Sequence, residues 1–209
     1  MSLAREVGVV GGLECHVAFL DHNHPRLDDW LDAAGQSGPA TVHCLGLLLS
    51  DGYHAEVDVP NALHRGSNSL TIDDRGTLGS GTWLMKAVQR AVGAFGGAES
   101  PLVLVSAGSS QPKARHQAYE VASRIAKQHR GPVVVAAASG PEPRLGDAIA
   151  ALRTGQGDVI AVQLMLAPGV LSDRVADEAG QCGVRALTPP LAAWDDRSEL
   201  VEELVTRLT

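Results

Sequence analysis

The sequence predicts an α/β fold of two similar lobes, each a parallel β-sheet flanked by helices. Three observations predict it. Apolar runs without polar alternation recur along the chain, most of them followed by residues at helical spacing, the pattern of parallel strands buried on both faces. The chain also repeats itself. Pro25-Arg26-Leu27-Asp28-Asp29 leads through a helical pattern into Val42 to Leu49 and then Gly52-Tyr53-His54, while Pro143-Arg144-Leu145-Gly146-Asp147 leads likewise into Val159 to Leu166 and Gly169-Val170-Leu171. From Asp29 to Gly52 is 23 positions and from Asp147 to Gly169 is 22, a self-similarity that signals duplication. Finally, the small-residue stretch from Gly93 to Pro101 reads as a hinge, giving lobes of 1–97 and 98–209.

The elements follow in order. In the first half, strands are expected at Glu14 to Leu20, Val42 to Leu49 and Ser69 to Ile72. Helices are expected at Pro25 to Ala34, about Glu56 to Leu63, and Ser80 to Phe95. In the second half, Leu102 to Ser106 is a buried strand followed by the turn Ala107-Gly108-Ser109-Ser110-Gln111-Pro112. Lys113 to Gln128 carries Ala114, Ala118, Val121, Ala122 and Ile125 at helical spacing and stops at Gly131-Pro132. Strand Val133 to Ala138, helix Pro143 to Leu152, strand Val159 to Leu166, helix Val170 to Ala179, strand Val184 to Leu187 and helix Arg197 to Leu208 complete it. The piece of the first half that would match Leu102 to Gln128 falls before residue 1. Met1 to Gly12 is therefore expected to supply only the tail of a helix, leaving an unpaired sheet position that invites a partner strand, a shifted helix or a homo-oligomer.

Composition narrows the function. At 209 residues, 44% hydrophobic and 20% charged, the chain is long enough for a well-buried core. A net charge of −7 without a Lys/Arg block argues against nucleic acid and against an acidic membrane surface. No apolar stretch approaches the ~20 residues of a bilayer span, and Met1 to Glu6 lacks a signal-peptide layout. Cys15, Cys44 and Cys182, odd in number and scattered, read as buried free thiols of a cytoplasmic protein.

Ligands of parallel α/β sheets bind beyond the carboxyl ends of the strands. Three groups fall there. Ser50-Asp51-Gly52-Tyr53-His54 follows the second strand; Gly52 permits a tight backbone, Tyr53 reads as packing, and the His54 imidazole is placed to bind a metal or move a proton. Asp21-His22-Asn23-His24 either completes a metal site with His54 or is a polar, helix-capping loop. Ser106 to Ser110 precedes a helix, a turn suited to a carboxylate or phosphate; it lacks the glycines of a dinucleotide fingerprint and the lysine of a P-loop, so no nucleotide is expected. His16 and His43 read as buried or half-buried strand residues, His64, His116 and His129 as helix-surface ones, and Asp73-Asp74 and Asp195-Asp196 as solvated loop doublets. In the repeat, His54 stands opposite Leu171, which suggests one working site and one structural copy.

Gly52-Tyr53-His54-Ala55-Glu56-Val57-Asp58-Val59-Pro60 resembles the G-x-H-x-x-x-D-[IV]-P segment of the sirohydrochlorin chelatases. Leu104 to Pro112 is similar to their H-G-S-x-x-P opening turn, with Ala107 in the histidine's place. Phe19-Leu20-Asp21 with His24-Pro25-Arg26-Leu27 is similar to their F-[LV]-[ED]…P-S-L passage. The resemblance implies a two-lobed, chelatase-like fold and a lyase that inserts Co²⁺ or Fe²⁺, as substrate, into sirohydrochlorin or a related tetrapyrrole of cobalamin or sirohaem synthesis. Carried over residue by residue, His54 is the metal-binding histidine and Asp21 the assisting carboxylate. The family's first histidine has no counterpart, which leaves His22 or His24 to substitute as metal ligand. The other reading is a catalytically degenerate homologue that binds tetrapyrrole or metal as a carrier or partner subunit.

Overall fold

The computed structural model describes residues 2–37, 41–66, 70–95, 99–152 and 158–209. In chain order the elements are α1 (Leu3–Gly11), α2 (Leu27–Ser37), β1 (Thr41–Gly46), a single π-helical turn (His54–Asp58), α3 (Val59–Gly66), β2 (Thr71–Thr77) and α4 (Thr82–Ala94). Then follow β3 (Leu102–Ser106), α5 (Pro112–Ala126), β4 (Val133–Ala137), α6 (Leu145–Ala151), β5 (Ile160–Leu164), α7 (Val170–Cys182), β6 (Ala186–Leu187) and α8 (Ser198–Leu208). The chain divides into two compact units, Met1–Gly79 with Val201–Thr209, and Ser80–Leu200. Packing therefore groups α4 with the second half, whereas the repeat sets its boundary at 97/98. The hinge stretch from Gly93 to Pro101 lies partly outside the described residues, as does Ser69 at the start of one expected strand.

The second unit holds a four-stranded parallel sheet in the order β4-β3-β5-β6. Leu102 to Ser106 pairs residue for residue with Val133 to Ala137 on one edge and with Ile160 to Leu164 on the other. Successive side chains leave opposite faces of a strand, so the unbroken apolar runs bury both. Val103, Val105 and Ala161 pack with Leu145, Ala148 and Ile149 of α6 and Val175 and Ala179 of α7. Leu102 and Leu104, no more than 1% exposed, point to the other face.

Where β3 ends, the loop crosses against the one after β4. Gly108 has φ +86, and a Cβ on it would stand 1.9 Å from the Ser139 carbonyl oxygen, so only glycine fits this crossing. Ser139 Oγ donates to the Ala107 carbonyl at 2.7 Å and the Ala138 N–H to the Ser106 carbonyl at 2.9 Å, which locks the two loops together.

The first unit is smaller. Helix α1 starts at Ser2, whose Oγ accepts the Arg5 N–H at 3.4 Å, and ends at the left-handed Gly12. β1 and β2 pair in parallel as a two-stranded sheet. Val42, Cys44 and Ile72 face a core of Leu31, Leu63 and Leu70 supplied largely by α2 and α3. Burial on both faces was expected here, but β1 alternates exposed and partly covered residues, and the outward face carries His43 against Asp73 in register. Arg207 of α8 donates to the carbonyls of Thr77 (2.8 Å) and Arg75 (3.2 Å), closing the carboxyl end of β2.

Three expectations are corrected in this unit. Glu14 to Leu20 is not a strand; it runs as coil with one bridge, Phe19 to Arg26, because among the described residues no strand lies beside it to complete a ladder. Asp73 and Asp74 sit within β2 rather than in a loop. His16 and His43 are exposed: His16 Nε2 lies 3.2 Å from Glu14 and its ring packs on Trp30 at 5.3 Å, and His43 Nδ1 lies 2.8 Å from Asp73.

Candidate functional site

The segment after β1 builds the centre of the site. The Gly52 carbonyl accepts the N–H groups of Ala55 and Glu56, both at 3.0 Å, and starts a helical turn at His54. That turn is π rather than α: the Val59 N–H reaches back five residues to the His54 carbonyl. Pro60 follows in the first turn of α3. It has no N–H to give the Glu56 carbonyl, so the hydrogen-bond ladder is interrupted where the wide turn passes into the regular helix. Single π-turns of this kind cluster at functional sites.

The turn brings together His54 and Asp58. Nδ1 of His54 lies 2.6 Å from Oδ2 of Asp58, with side chains 59% and 34% exposed. A neutral imidazole in that contact donates through Nδ1, so the Nε2 lone pair is the open donor. A histidine backed by a carboxylate and open at its other nitrogen has the chemistry of a metal ligand or proton acceptor. Tyr53, expected to pack, is 55% exposed beside it.

The loop carrying Asp21, His22 and His24 is exposed. It is pinned at its base, where the Phe19 N–H reaches the Pro25 carbonyl at 2.9 Å and the Leu27 N–H the Phe19 carbonyl at 2.8 Å. Asp21 lies 3.7 Å from an Arg26 guanidinium nitrogen, and His22 holds a left-handed backbone at φ 63. Among the described residues, no three His, Cys, Asp or Glu side chains converge to hold a metal ion. The structure thus joins His54 to Asp58 and leaves His22, His24 and Asp21 in their own exposed loop.

Several other groups change character. The Ser106 to Ser110 turn spends its polar groups internally: Ser109 Oγ accepts the Gln111 N–H at 3.0 Å, and Arg115 donates to the Ser110 carbonyl at 2.9 Å. Asp196 is not merely solvated. It takes the Ser198 N–H at 3.2 Å and pairs with Arg90, and these bonds hold its carboxyl below the usual range. His129 is half-buried past the end of α5, where Nε2 meets the Ser100 carbonyl at 2.7 Å. All three cysteines are free and partly buried; burial, with Asp74 and Asp73 adding to it, pushes the Cys44 thiol up to about 11.

Two partnerships were missed in the sequence. Asp58 stands in the quoted motif four residues from His54, the helical neighbour spacing, and that spacing was the available signal. On the outward face of the first sheet, Asp73 is shared by His43 and by Arg75 Nε at 2.9 Å, and both hold its carboxyl low, His43 most. Nothing local in the sequence pairs residues 43 and 73, because the contact exists only through strand register.

Parallel sheets flanked by helices, with an open imidazole just beyond a strand's carboxyl end, define an α/β protein of the chelatase fold. The solved structures it matches include SirB from Bacillus subtilis with Fe³⁺, at TM-score 0.76 and 19% identity, covering 98% of this chain and 86% of that one. Another is the sirohydrochlorin chelatase SirB from Bacillus subtilis subspecies spizizenii with cobalt, at TM-score 0.73 and 16% identity, covering 100% and 88%. A third is CbiX, described as the terminal enzyme of sirohaem biosynthesis in denitrifying bacteria, at TM-score 0.71 and 18% identity, covering 99% and 90%. The CbiX family model matches residues 2–94 and 101–204, and the chain belongs to the CbiX family. No curated protein matches the chain in sequence.

Proposed function

We infer that the chain is a metal chelatase of the lyase class that inserts Co²⁺ or Fe²⁺ into sirohydrochlorin or a related tetrapyrrole. The match of the CbiX family model in both halves is the observation that carries this reading. The metal is a substrate, and SirB structures with iron and with cobalt support that role. Nε2 of His54 would hold the incoming metal; once the ion has passed to the macrocycle, that nitrogen is free to take one of the two pyrrole protons, and the other goes to Asp21 or to solvent. Asp21 is the assisting carboxylate, with His22 or His24 as a second metal ligand. The exposed pinned loop gives these side chains the freedom to reach a bound ion. The two matched segments fall on either side of the repeat boundary, which supports lobes of 1–97 and 98–209. No helix among the described residues is long and apolar enough to cross a membrane. The chain works in the cytoplasm and needs no nucleotide, since macrocycle metallation with a divalent ion requires no phosphoryl transfer.

Absorbance change on adding Co²⁺ to sirohydrochlorin tests the reading. The expected result is insertion above the uncatalysed rate, with His54→Ala slowed by about 10²-fold or more, the scale of a lost acid–base group. A rate equal to background overturns the chelatase reading. An unchanged rate in His54→Ala removes His54 from the site.

A further inference from the structure

We propose that Asp58 is a positioning residue: its carboxylate fixes the His54 imidazole as the Nδ1–H tautomer and leaves Nε2 as the metal donor. The role rests on the chelatase reading for its purpose, while the tautomer itself does not. The contact is short, 2.6 Å between Nδ1 and Oδ2, and it occupies one nitrogen only. Among the described residues no lysine or arginine pairs with Asp58, so its charge is directed at the imidazole.

The backbone explains why the contact forms. His116 and Glu120 have the same four-residue spacing on the regular helix α5, yet their closest approach is 3.6 Å, beyond a hydrogen bond. In the π-turn of His54 to Asp58, the rise per residue is smaller and the two side chains stand closer along the axis. The wide turn therefore does more than pass the chain into α3. It sets a carboxylate directly behind the imidazole.

The consequence is chemical. Histidine in water favours the Nε2–H tautomer, which places a proton where the metal would bind. A carboxylate on Nδ1 reverses that preference, raises the donor strength of Nε2 and holds the ring in one orientation. The ion then meets a lone pair without prior proton transfer.

The test uses the ¹⁵N-labelled, metal-free chain and long-range ¹H–¹⁵N correlation at about pH 8.5, where imidazole is neutral. His54→Ala identifies the resonance, and Co²⁺ alone is then titrated in. The expected wild-type pattern is Nδ1–H. Asp58→Ala should revert to Nε2–H with about 10–100-fold weaker Co²⁺ binding, and Asp58→Glu should restore both in part. A wild-type ring in the Nε2–H form overturns the proposal, as does an Asp58→Ala spectrum still showing Nδ1–H in a chain with native chemical-shift dispersion. Should the wild type show Nδ1–H but insert no metal into the tetrapyrrole, the assignment of Asp58 stands and the chelatase reading falls.

Discussion

Replacing Gly108 with alanine isolates the cost of the loop crossing above the four-stranded sheet. A Cβ at this position would lie 1.9 Å from the Ser139 carbonyl oxygen and 2.6 Å from its carbon, so backbone must move by well over an ångström. An L-residue at φ +86 adds about 1–2 kcal/mol of strain, offset by roughly 0.4–1 kcal/mol from a stiffer unfolded chain. Displacing Ser139 sacrifices its bond to the Ala107 carbonyl and weakens the neighbouring Ala138 bond, each worth about 1 kcal/mol. The net destabilisation is about 1–4 kcal/mol, or a fall in Tm of about 2–16 °C for a chain of this length. Two controls separate strain from collision. Gly183 is also left-handed but a Cβ there meets nothing within 4 Å, so Gly183→Ala should cost only about 1 kcal/mol. Gly180 lies inside α7 with the same open space, and Gly180→Ala should stabilise by about 0.5–1 kcal/mol. Urea denaturation followed by circular dichroism ranks the three variants. A Gly108→Ala midpoint equal to that of Gly183→Ala would refute the crossing argument.

The remaining expectations concern protons. With the Cys44 thiol pushed from its ordinary 9.0 to about 11, the folded chain holds that proton more tightly than the unfolded one. Its stabilising share is complete below the ordinary value and fades as pH climbs from there towards about 11. Iodoacetamide should label Cys44 in the native chain only as pH nears that value, but at an ordinary thiol pH in urea; equal pH profiles in both would contradict the burial described. The Asp73 carboxyl is held low, chiefly by His43 with Arg75 assisting. Its contribution is present above the ordinary carboxylate pKa and is lost as pH falls through the depressed one. Asp73→Asn should therefore flatten the loss of stability below about pH 4, measured by urea midpoints across the acid range, and an unaltered acid limb would remove the triad from the account.

The second half was read almost element for element because its strands are covered on both faces, and unbroken apolar runs such as Leu102 to Val105 have few other destinations. The first half was harder for the same physical reason. Its sheet has two strands, so Val42-His43-Cys44 alternates, and the run from Glu14 to Leu20 has strand composition without a neighbour to bond. Strand character is a property of pairs, and one segment's residues cannot report whether the partner exists. The position of His54 just past a strand end was legible in the sequence. The bond to Asp58 was within reach of helical spacing, but the π-turn that carries it is defined by the Val59 N–H reaching back to the His54 carbonyl, which residue spacing alone does not express.

Arg207 and the carbonyls of Arg75 and Thr77 are separated by 132 and 130 positions. On a ribosome, residues up to Gly79 emerge long before the segment that seals the end of β2, while the stretch from Ser80 to Leu200 is contiguous and waits for nothing downstream. Vectorial synthesis usually lets the earlier part mature first. In this chain the order is reversed, with the later-made unit free to consolidate while the earlier one stays unfinished until α8 has been made.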